Sequence, residues 1–305
     1  GATIRGIVFD GASEVADAIR IDDTVTGAPV VISGCTVRNY TNRFVYVSLS
    51  GKIESLTIDD CIFIGADNST TNKAIYASSA HTQVETLSVT NSTFLNFNTG
   101  SNYFFRINCG EELVLMPVVL IDHCTFYNCY DRRGVYLYNA GRSTIKNCIS
   151  AFSERRDDTK SFTAYGDESI VKNVISYNVD LYGSAPKENI ISKNPLFVDA
   201  ENGNFQLYKD SPAVGAGDDG SDLGDPRWGV STENAPVGEL PYECFKKPYS
   251  MSPTTHSVRI LWQTLDSNPS GTVYYGKTPD LGQKLTAETG WNVDGEGFVH
   301  VIELT

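Results

Sequence analysis

A short hydrophobic segment recurs along the first two thirds of this 305-residue chain, and this repetition limits the possible folds more than any other feature. It reads TIDDCIF at 57–63, SVTNSTF at 88–94, LIDHCTF at 120–126 and TIKNCIS at 144–150, with weaker copies at 3–9, 31–37 and 170–176. The fifth residues of the copies, separated by 28, 26, 31, 32, 24 and 26 residues, are Ile7, Cys35, Cys61, Ser92, Cys124, Cys148 and Val174. Repeats of about 20–50 residues are typical of solenoids.

A second strand-like segment follows each of the first six copies, as in FVYV at 44–47, AIYA at 74–77 and GVYL at 134–137. Both segments alternate and are rich in β-branched and aromatic residues, whereas clusters of Asn, Gly, Ser and Asp separate them, so we predict strands joined by turns. Neither shows the periodicity of an amphipathic helix. We therefore predict an all-β protein in which residues 1–240 form a right-handed parallel β-helix, each repeat being one coil of a shared core.

Stacking of the coils aligns equivalent residues in columns. An internal ladder is predicted for Phe9, Val37, Phe63, Phe94 and Phe126. A turn column is predicted for Gly6, Gly34, Asp60, Asn91, His123, Asn147 and Asn173, because Gly adopts positive φ and the Asn amide bonds to turn backbone. His123 is accordingly interpreted as a turn residue. Cys35, Cys61, Cys124 and Cys148 are interpreted as small core residues, since no zinc-type spacing is present.

The formal charge of −13, from 24 basic and 37 acidic residues, argues against a nucleic-acid partner, which requires clustered Lys and Arg. No apolar run reaches the roughly 18 residues of a membrane span. The chain begins inside a repeat, which suggests a fragment or a processed protein. We expect a monomer.

Alternate strand residues face outward, so the inward positions of the second segments leave an outward row rich in Tyr and Arg. This row consists of Arg20, Tyr46, Tyr76, Arg106, Tyr136 and Thr163. A neighbouring row includes Tyr138 and Tyr165, and nearby turns add Arg132, Arg133 and Lys160. Tyrosine faces and arginine forks suit an acidic polysaccharide. The alternative is that stacked Tyr and Arg side chains only cover the sheet.

Residues 188–229 contain NPLFVD at 194–199, NFQL at 204–207, SPAVGAG at 211–217 and DLG at 222–224. This run resembles the last coils of secreted pectate-lyase-like right-handed β-helix proteins of the Bacteroidetes type, in the style of chondroitinase-B and alginate lyase relatives. The resemblance implies a protein that is secreted, periplasmic or anchored at the outer surface. It leaves the reaction open, because one fold hosts many activities.

After residue 240 the repeats end, and residues 241–305 contain KPYSMSP at 247–253, SVRILWQT at 257–264, TVYYG at 272–276 and FVHVIEL at 298–304. These motifs resemble the fibronectin type III-like module at the N-terminus of purple acid phosphatases, with Trp262 as the core tryptophan. A length of 65 residues is short of the roughly 100 of a complete sandwich, so a partial module is expected. The resemblance also leaves open a third interpretation, a fragment of a phosphoesterase.

The resemblance implies that the solenoid binds an acidic polysaccharide and cleaves it by β-elimination. That reaction needs a cation at the uronate carboxylate, a base for the C5 proton and an acid for the leaving oxygen. We assign the catalytic roles to Arg106, Arg132, Tyr136 and Lys160, and substrate binding to Arg20, Tyr46, Tyr76, Arg133 and Tyr138. The calcium-binding Asp set of pectate lyases and the polygalacturonase motifs are not found. The alternative is therefore a non-catalytic glycan-binding or surface adhesion protein.

The acidic run DDGSDLGD at 218–225 raises calcium as the one candidate cofactor, because carboxylate oxygens are its preferred ligands. Its spacing differs from that of an EF-hand loop. We favour the interpretation that this run is a solvated acidic turn, and we expect no cofactor otherwise.

Overall fold

The computed structural model describes residues 1–48, 52–65, 72–79, 83–97, 103–109, 117–138, 142–235, 244–251, 256–264, 272–275, 283–287, 291–292 and 298–304. The chain divides into two compact units, Gly1–Ala235 and Pro236–Thr305. The boundary predicted between residues 240 and 241 lies outside the described residues.

The first unit is a parallel β-solenoid of about five turns. Five coils have three principal strands each. The first coil contains β1 (Ala2–Arg5), β2 (Val8–Asp10) and β3 (Asp17–Ile21), and the second contains β5 (Val30–Ser33), β6 (Thr36–Arg38) and β7 (Arg43–Val47), preceded by the short β4 (Thr24–Val25). The third contains β8 (Lys52–Asp59), β9 (Ile62–Ile64) and β10 (Lys73–Ser79), and the fourth contains β11 (Gln83–Thr90), β12 (Thr93–Leu95) and β13 (Phe105–Cys109). The fifth contains β14 (Val118–Asp122), β15 (Thr125–Tyr127) and β16 (Val135–Tyr138). Later coils contain β17 (Arg142–Ala151), β18 (Lys160–Ala164), β19 (Ile170–Tyr177), β20 (Asp180–Tyr182) and β21 (Lys187–Ile191).

The coils stack into two parallel sheets. A 14-stranded sheet contains the first two principal strands of every coil, and a seven-stranded sheet contains the third strands in the order β20-β18-β16-β13-β10-β7-β3. Side chains alternate across each strand, so every coil contributes one apolar set to a common interior. The predicted parallel solenoid is therefore confirmed.

The internal aromatic ladder is also confirmed. Phe9, Val37, Phe63, Phe94 and Phe126 are in register from coil to coil. The ring centroids of Phe63 and Phe94 are 5.0 Å apart, and those of Phe94 and Phe126 are 4.8 Å apart, with interplanar angles of 7° and 9°. Near-parallel stacking follows from equivalent side chains repeated once per coil.

The predicted turn column adopts the left-handed conformation throughout. Its seven residues have φ between +49° and +64°. Asn and Gly tolerate this region better than other residues, which explains their recurrence at this position. His123, with φ of +50°, occupies the place that Asn takes in neighbouring coils, as predicted.

The four repeated cysteines are buried, with at most 1% of their surface exposed. Each thiol donates to the carbonyl two residues earlier, at 3.3 Å for Cys35, 3.2 Å for Cys61, 3.4 Å for Cys124 and 2.9 Å for Cys148. Burial raises the pKa of Cys61 to about 12. Ile7, which shares this repeat position, differs in being 44% exposed.

Residues 194–235 close the solenoid with short elements: β22 (Phe197–Asp199), a 3-10 turn at Ala200–Asn202, β23 (Asn204–Leu207) and a 3-10 turn at Pro226–Trp228. Phe205 and Leu223 are buried against Ile149 in a second hydrophobic cluster. The acidic run was expected to be a solvated turn, and that expectation is wrong for Asp225, which is buried, although Asp218 is exposed. Asp218 contacts Lys146 and Lys172, and Asp225 is 5% exposed.

The second unit contains β24 (Cys244–Met251), β25 (Val258–Thr264), β26 (Thr272–Tyr275), β27 (Gln283–Thr286), β28 (Trp291–Asn292) and β29 (Phe298–Leu304). These strands form a four-stranded antiparallel sheet, in the order β24-β25-β29-β28, and the hairpin β26-β27. Trp262 is 5% exposed and stacks on the imidazole of His300 at 5.2 Å. In the part of the chain that the structure describes, no helix is long and apolar enough to cross a membrane.

Candidate functional site

The outward row predicted from the sequence is present in the seven-stranded sheet. Arg20, Tyr46, Tyr76, Arg106, Tyr136 and Thr163 are direct partners in successive strand pairs. Their inward neighbours, such as Val45 and Ile75, have no exposed surface. The alternation of each strand therefore directs this row away from the core.

The tyrosines of this sheet form a continuous series of rings, which we call the tyrosine ladder. Its members are Tyr46, Tyr76, Tyr103, Tyr136, Tyr138, Tyr165 and Tyr182. Consecutive centroids lie 6.0, 6.1, 5.8, 5.7, 5.7 and 6.5 Å apart. Parallel strands are about 4.8 Å apart, so the ladder crosses the coils with roughly one ring per coil.

Tyr103 and Tyr182 are members of the ladder that the sequence did not identify. Tyr103 precedes β13 and lies outside the repeated segment, yet its ring stacks on Tyr136 at 5.8 Å with an interplanar angle of 13°. Tyr182 lies in β20, a strand without a recognisable second segment in the sequence. The only available signal was the position of both tyrosines beside strands of the sheet.

The ladder is unevenly exposed. Tyr46 and Tyr136, predicted to contact substrate, are 8% and 5% exposed. The guanidinium of Arg43 lies 3.6 Å from the Tyr46 ring centroid, and that of Arg133 lies 4.7 Å from the Tyr136 ring centroid. Tyr138 and Tyr182 are 43% and 56% exposed. The accessible part of the ladder is therefore at its later coils.

Ion pairs separate the arginines into two groups. Arg20 binds Asp22 at 2.8 Å, Arg43 binds Asp17 at 2.8 Å and Arg155 binds Asp180 at 3.1 Å. The second group consists of Arg106 in β13 with Arg132 and Arg133 in the turn before β16, and no carboxylate pairs with them among the described residues. Arg156 has no carboxylate partner there either, and its guanidinium lies 4.0 Å from the ring centroid of Tyr130, outside the ladder. Arg132, Arg133 and Arg156 are exposed. These cations are available to an anionic ligand.

Arg106 is held between two rings of the ladder. Its guanidinium carbon lies 4.5 Å from the Tyr103 centroid and 5.9 Å from that of Tyr136, and Nη1 donates to the Tyr103 hydroxyl. Its Nε is buried and has no hydrogen-bond partner within the described ranges. Stacking and a hydrogen bond together fix the guanidinium plane, which suits directional binding of a carboxylate.

Two more groups near the ladder could exchange a proton: Lys160, which was predicted to be catalytic, and Tyr103, which was not. Lys160 Nζ lies 3.3 Å from both Asp180 Oδ2 and the Asp157 carbonyl, so its ammonium is already engaged. Burial raises the pKa of the Tyr103 phenol, although the neighbouring Arg106 guanidinium acts in the opposite direction. A phenol with a raised pKa is a poor base at neutral pH.

The acidic run does not form a calcium-type ligand set. Asp218 contacts two lysines, Asp219 accepts from Ser221, and Asp225 accepts from Thr93 at 2.6 Å. Within the described part of the chain, no three His, Cys, Asp or Glu side chains converge in a metal-binding arrangement. Asp218 and Asp225 instead hold the closing residues against the coils, and Asp219 bonds within the closing residues.

Comparison with known families gives two matches, both within the solenoid. Residues 1–97 match the family model described as Domain of unknown function (DUF4957), and residues 119–228 match that described as Domain of unknown function (DUF5123). No curated protein matches the chain. The two matched segments contain the tyrosine ladder except Tyr103, and the available arginines except Arg106.

Proposed function

We propose that the later part of the tyrosine ladder, with Arg106, Arg132 and Arg133, binds an acidic polysaccharide laid across the coils. The observation that carries this proposal is the continuity of the ladder beside cations that lack carboxylate partners among the described residues. Tyrosine rings offer apolar faces to sugar rings, and guanidinium groups bind uronate carboxylates. Arginines that only covered the sheet would be expected to find carboxylates in a chain of net charge −13.

Cleavage by β-elimination is a second candidate, and the hydrogen bond from Arg106 to the Tyr103 hydroxyl favours it. In this mechanism Arg106 and Arg132 neutralise the C6 carboxylate, and a deprotonated tyrosine takes the C5 proton. The C4–O bond then breaks as the C4–C5 double bond forms, and the tyrosine hydroxyl returns the proton to the leaving oxygen. The engaged ammonium of Lys160 and the raised pKa of Tyr103 weigh against an available base. Binding without cleavage therefore accounts better for the geometry.

This proposal includes a location outside the cytoplasm, where an acidic polysaccharide would be met. It also includes the right-handed, pectate-lyase-like character of the solenoid and a partial fibronectin type III-like identity for the second unit. The antiparallel sheet around Trp262 supports the last assignment.

A panel of polysaccharides separates the two candidates. The protein is incubated with polygalacturonate, alginate, chondroitin sulfate and a neutral glucan, and both retention by affinity electrophoresis and ultraviolet absorbance of unsaturated products are followed. Binding to at least one uronate polymer without new absorbance supports the proposed function. Unsaturated product would establish the lyase, and no interaction with any anionic polymer would overturn both.

A further inference from the structure

A stretch of the closing region lies across the turn column, and we call residues 216–227 the closing segment. It contacts successive coils in reverse order. Its side-chain contacts are Asn173 Nδ2 to the Ala216 carbonyl at 2.9 Å, Asn147 Nδ2 to Asp218 at 2.9 Å, His123 Nε2 to Ser221 Oγ at 2.7 Å, and Arg227 to Asp60 at 2.7 Å. Arg227 also donates to the Asn91 carbonyl at 3.2 Å, so the segment fastens five coils along one side of the solenoid.

His123 is the only titratable imidazole among the described contacts of this segment. Its Nδ1 lies 2.8 Å from Asp122 Oδ1, and its Nε2 lies 2.7 Å from Ser221 Oγ. Ser221 Oγ in turn lies 2.5 Å from Asp219 Oδ1. The four side chains thus form one chain of hydrogen bonds between two carboxylates.

The number of protons in this chain determines its chemistry. Ser221 has one hydroxyl proton, and at 2.5 Å from a carboxylate oxygen that proton belongs in the bond to Asp219. Ser221 Oγ must then accept from His123 Nε2, while Nδ1 donates to Asp122. Both imidazole nitrogens carry hydrogen, so the arrangement requires a protonated His123.

The same proton count argues against a serine nucleophile. In a hydrolase, the hydroxyl proton would have to point at a neutral imidazole. Backbone donors for an oxyanion are also engaged, because Ser221 N donates to Asp219 at 3.0 Å and Gly220 N donates to the Gly217 carbonyl at 3.1 Å. The Asp122–His123–Ser221 arrangement resembles a catalytic triad, but it is better explained as a contact that attaches the closing segment to the coils.

We propose that protonated His123 is a pH-dependent clasp that fixes the closing segment to the turn column, and that its deprotonation loosens the segment around Ser221. This inference is independent of the proposed function. The charged groups facing His123 are Asp122 on its own strand, Lys146 on the next coil and Asp219 on the closing segment. Lys146 is itself neutralised by Asp122 at 3.4 Å and Asp218 at 3.2 Å. The attraction of the carboxylates for protonated His123 therefore outweighs its repulsion by Lys146.

The direction of the pH effect follows from these neighbours. The Asp122 hydrogen bond raises the pKa of His123 above its ordinary value, even though burial acts against it. A raised histidine pKa contributes stability that is complete below the unfolded value of about 6.5 and is lost as pH rises through the folded value. The pKa values of Asp122 and Asp219 are lowered, so the clasp also weakens in strong acid.

Loosening the clasp would affect the cavity that it borders. This cavity of about 400 Å³ is lined on one side by His123 and Ser221, and on the other by Phe205 and Trp228. The polar groups that line the cavity form hydrogen bonds within the protein; for example, Trp228 Nε1 donates to Thr93 at 2.9 Å. Deprotonation is therefore expected to expose apolar surface at this seam rather than a ready-made ligand site.

Hydrogen–deuterium exchange of the closing segment tests the clasp, with rates corrected for the intrinsic effect of pH. Protection of residues 219–224 is measured at about pH 5.5 and about pH 8.5, on either side of the ordinary histidine pKa of about 6.5. The test variant is His123→Asn, because Asn91 and Asn147 adopt the same positive φ in neighbouring coils. Ser221→Ala removes the other half of the contact, and exposed His256→Asn is the control.

The wild type and the His256 variant are expected to lose protection in this segment at the higher pH. The His123 and Ser221 variants are expected to show low protection at both. NMR titration should give His123 a pKa above about 6.5 that falls in the Ser221 variant. A His123 pKa at or below that value, or unchanged pH dependence in the His123 variant, would overturn the clasp.

Discussion

The Tyr103 ring stacks on the Tyr136 ring of the following coil, at 5.8 Å and 13°, although Tyr103 lies outside the repeated segments. This contact connects the early tyrosines to the exposed rings of the later coils. It also places Arg106 against both rings. Tyr103, which the repeat does not specify, thereby completes the tyrosine ladder.

Replacing Asn147 should show how much the turn column contributes to stability. Asn147 has φ of +52°, its Nδ2 donates to Asp122 at 3.0 Å and to Asp218 at 2.9 Å, and its Oδ1 accepts from the Asp218 backbone amide at 3.0 Å. Asn147→Ala should cost about 1–2 kcal/mol for the left-handed backbone and about 1 kcal/mol for each lost hydrogen bond.

Asn147→Gly is the matched control, because glycine tolerates positive φ but forms none of the three side-chain bonds. Chemical denaturation should rank the wild type above the Gly variant and the Gly variant above the Ala variant. Equal stability of the two variants would contradict the role given to the backbone conformation.

Truncation of Phe94 should be among the most damaging core substitutions. Its ring lies between those of Phe63 and Phe126 and has no exposed surface. Phe94→Ala should lower the free energy of unfolding by roughly 3–5 kcal/mol, through lost burial and an unfilled cavity. Tyr182→Ala, at a ring that is 56% exposed, should cost far less in the same denaturation experiment. Similar losses for both variants would refute the stacked core.

Asp218 should stabilise the solenoid in a pH-dependent manner. Lys172, Lys146 and Asn147 bind its carboxylate and lower its pKa below the ordinary value. Its contribution is present above the unfolded pKa of about 3.9 and is lost as pH falls through the folded value.

Asp218→Asn should therefore reduce stability near neutral pH by less than about 1 kcal/mol, because solvent screens an exposed carboxylate, and by progressively less below about pH 4. Thermal unfolding across this range provides the measurement. Asp167→Asn, at an exposed acid, is the control and should follow the wild type. A difference from the wild type that is constant with pH would exclude the electrostatic explanation.

The sequence was sufficient to predict the features that recur once in each coil. The alternation within strands predicted the inward residues, and alignment of the recurring segment predicted the register of Phe63, Phe94 and Phe126. The positive φ of the turn column was also predictable, since Asn and Gly recur there for a backbone reason. These features depend on local rules applied once per coil.

What the sequence could not predict depends on contacts between distant residues. His123 and Ser221 are 98 residues apart, and the closing segment has no repeat to set its alignment. A second limit is local: Arg20 pairs with Asp22 whereas Arg133 stacks on Tyr136, and this difference depends on side-chain conformations that the sequence pattern does not specify. The sequence therefore indicated the face but not which of its arginines are available.

Calorimetric titration with the uronate polymer that binds best in the panel tests the central claim, that the later tyrosine ladder and its arginines bind acidic glycan. The variant is Arg132→Ala with Arg133→Ala, and the control is Arg142→Ala, an exposed arginine that pairs with Glu168 at 2.6 Å in the other sheet. We predict that the double variant weakens binding at least about tenfold, or about 1.4 kcal/mol, while the control keeps the wild-type affinity and added salt weakens all three. An unchanged affinity in the double variant, or an equal loss in the control, would contradict the account.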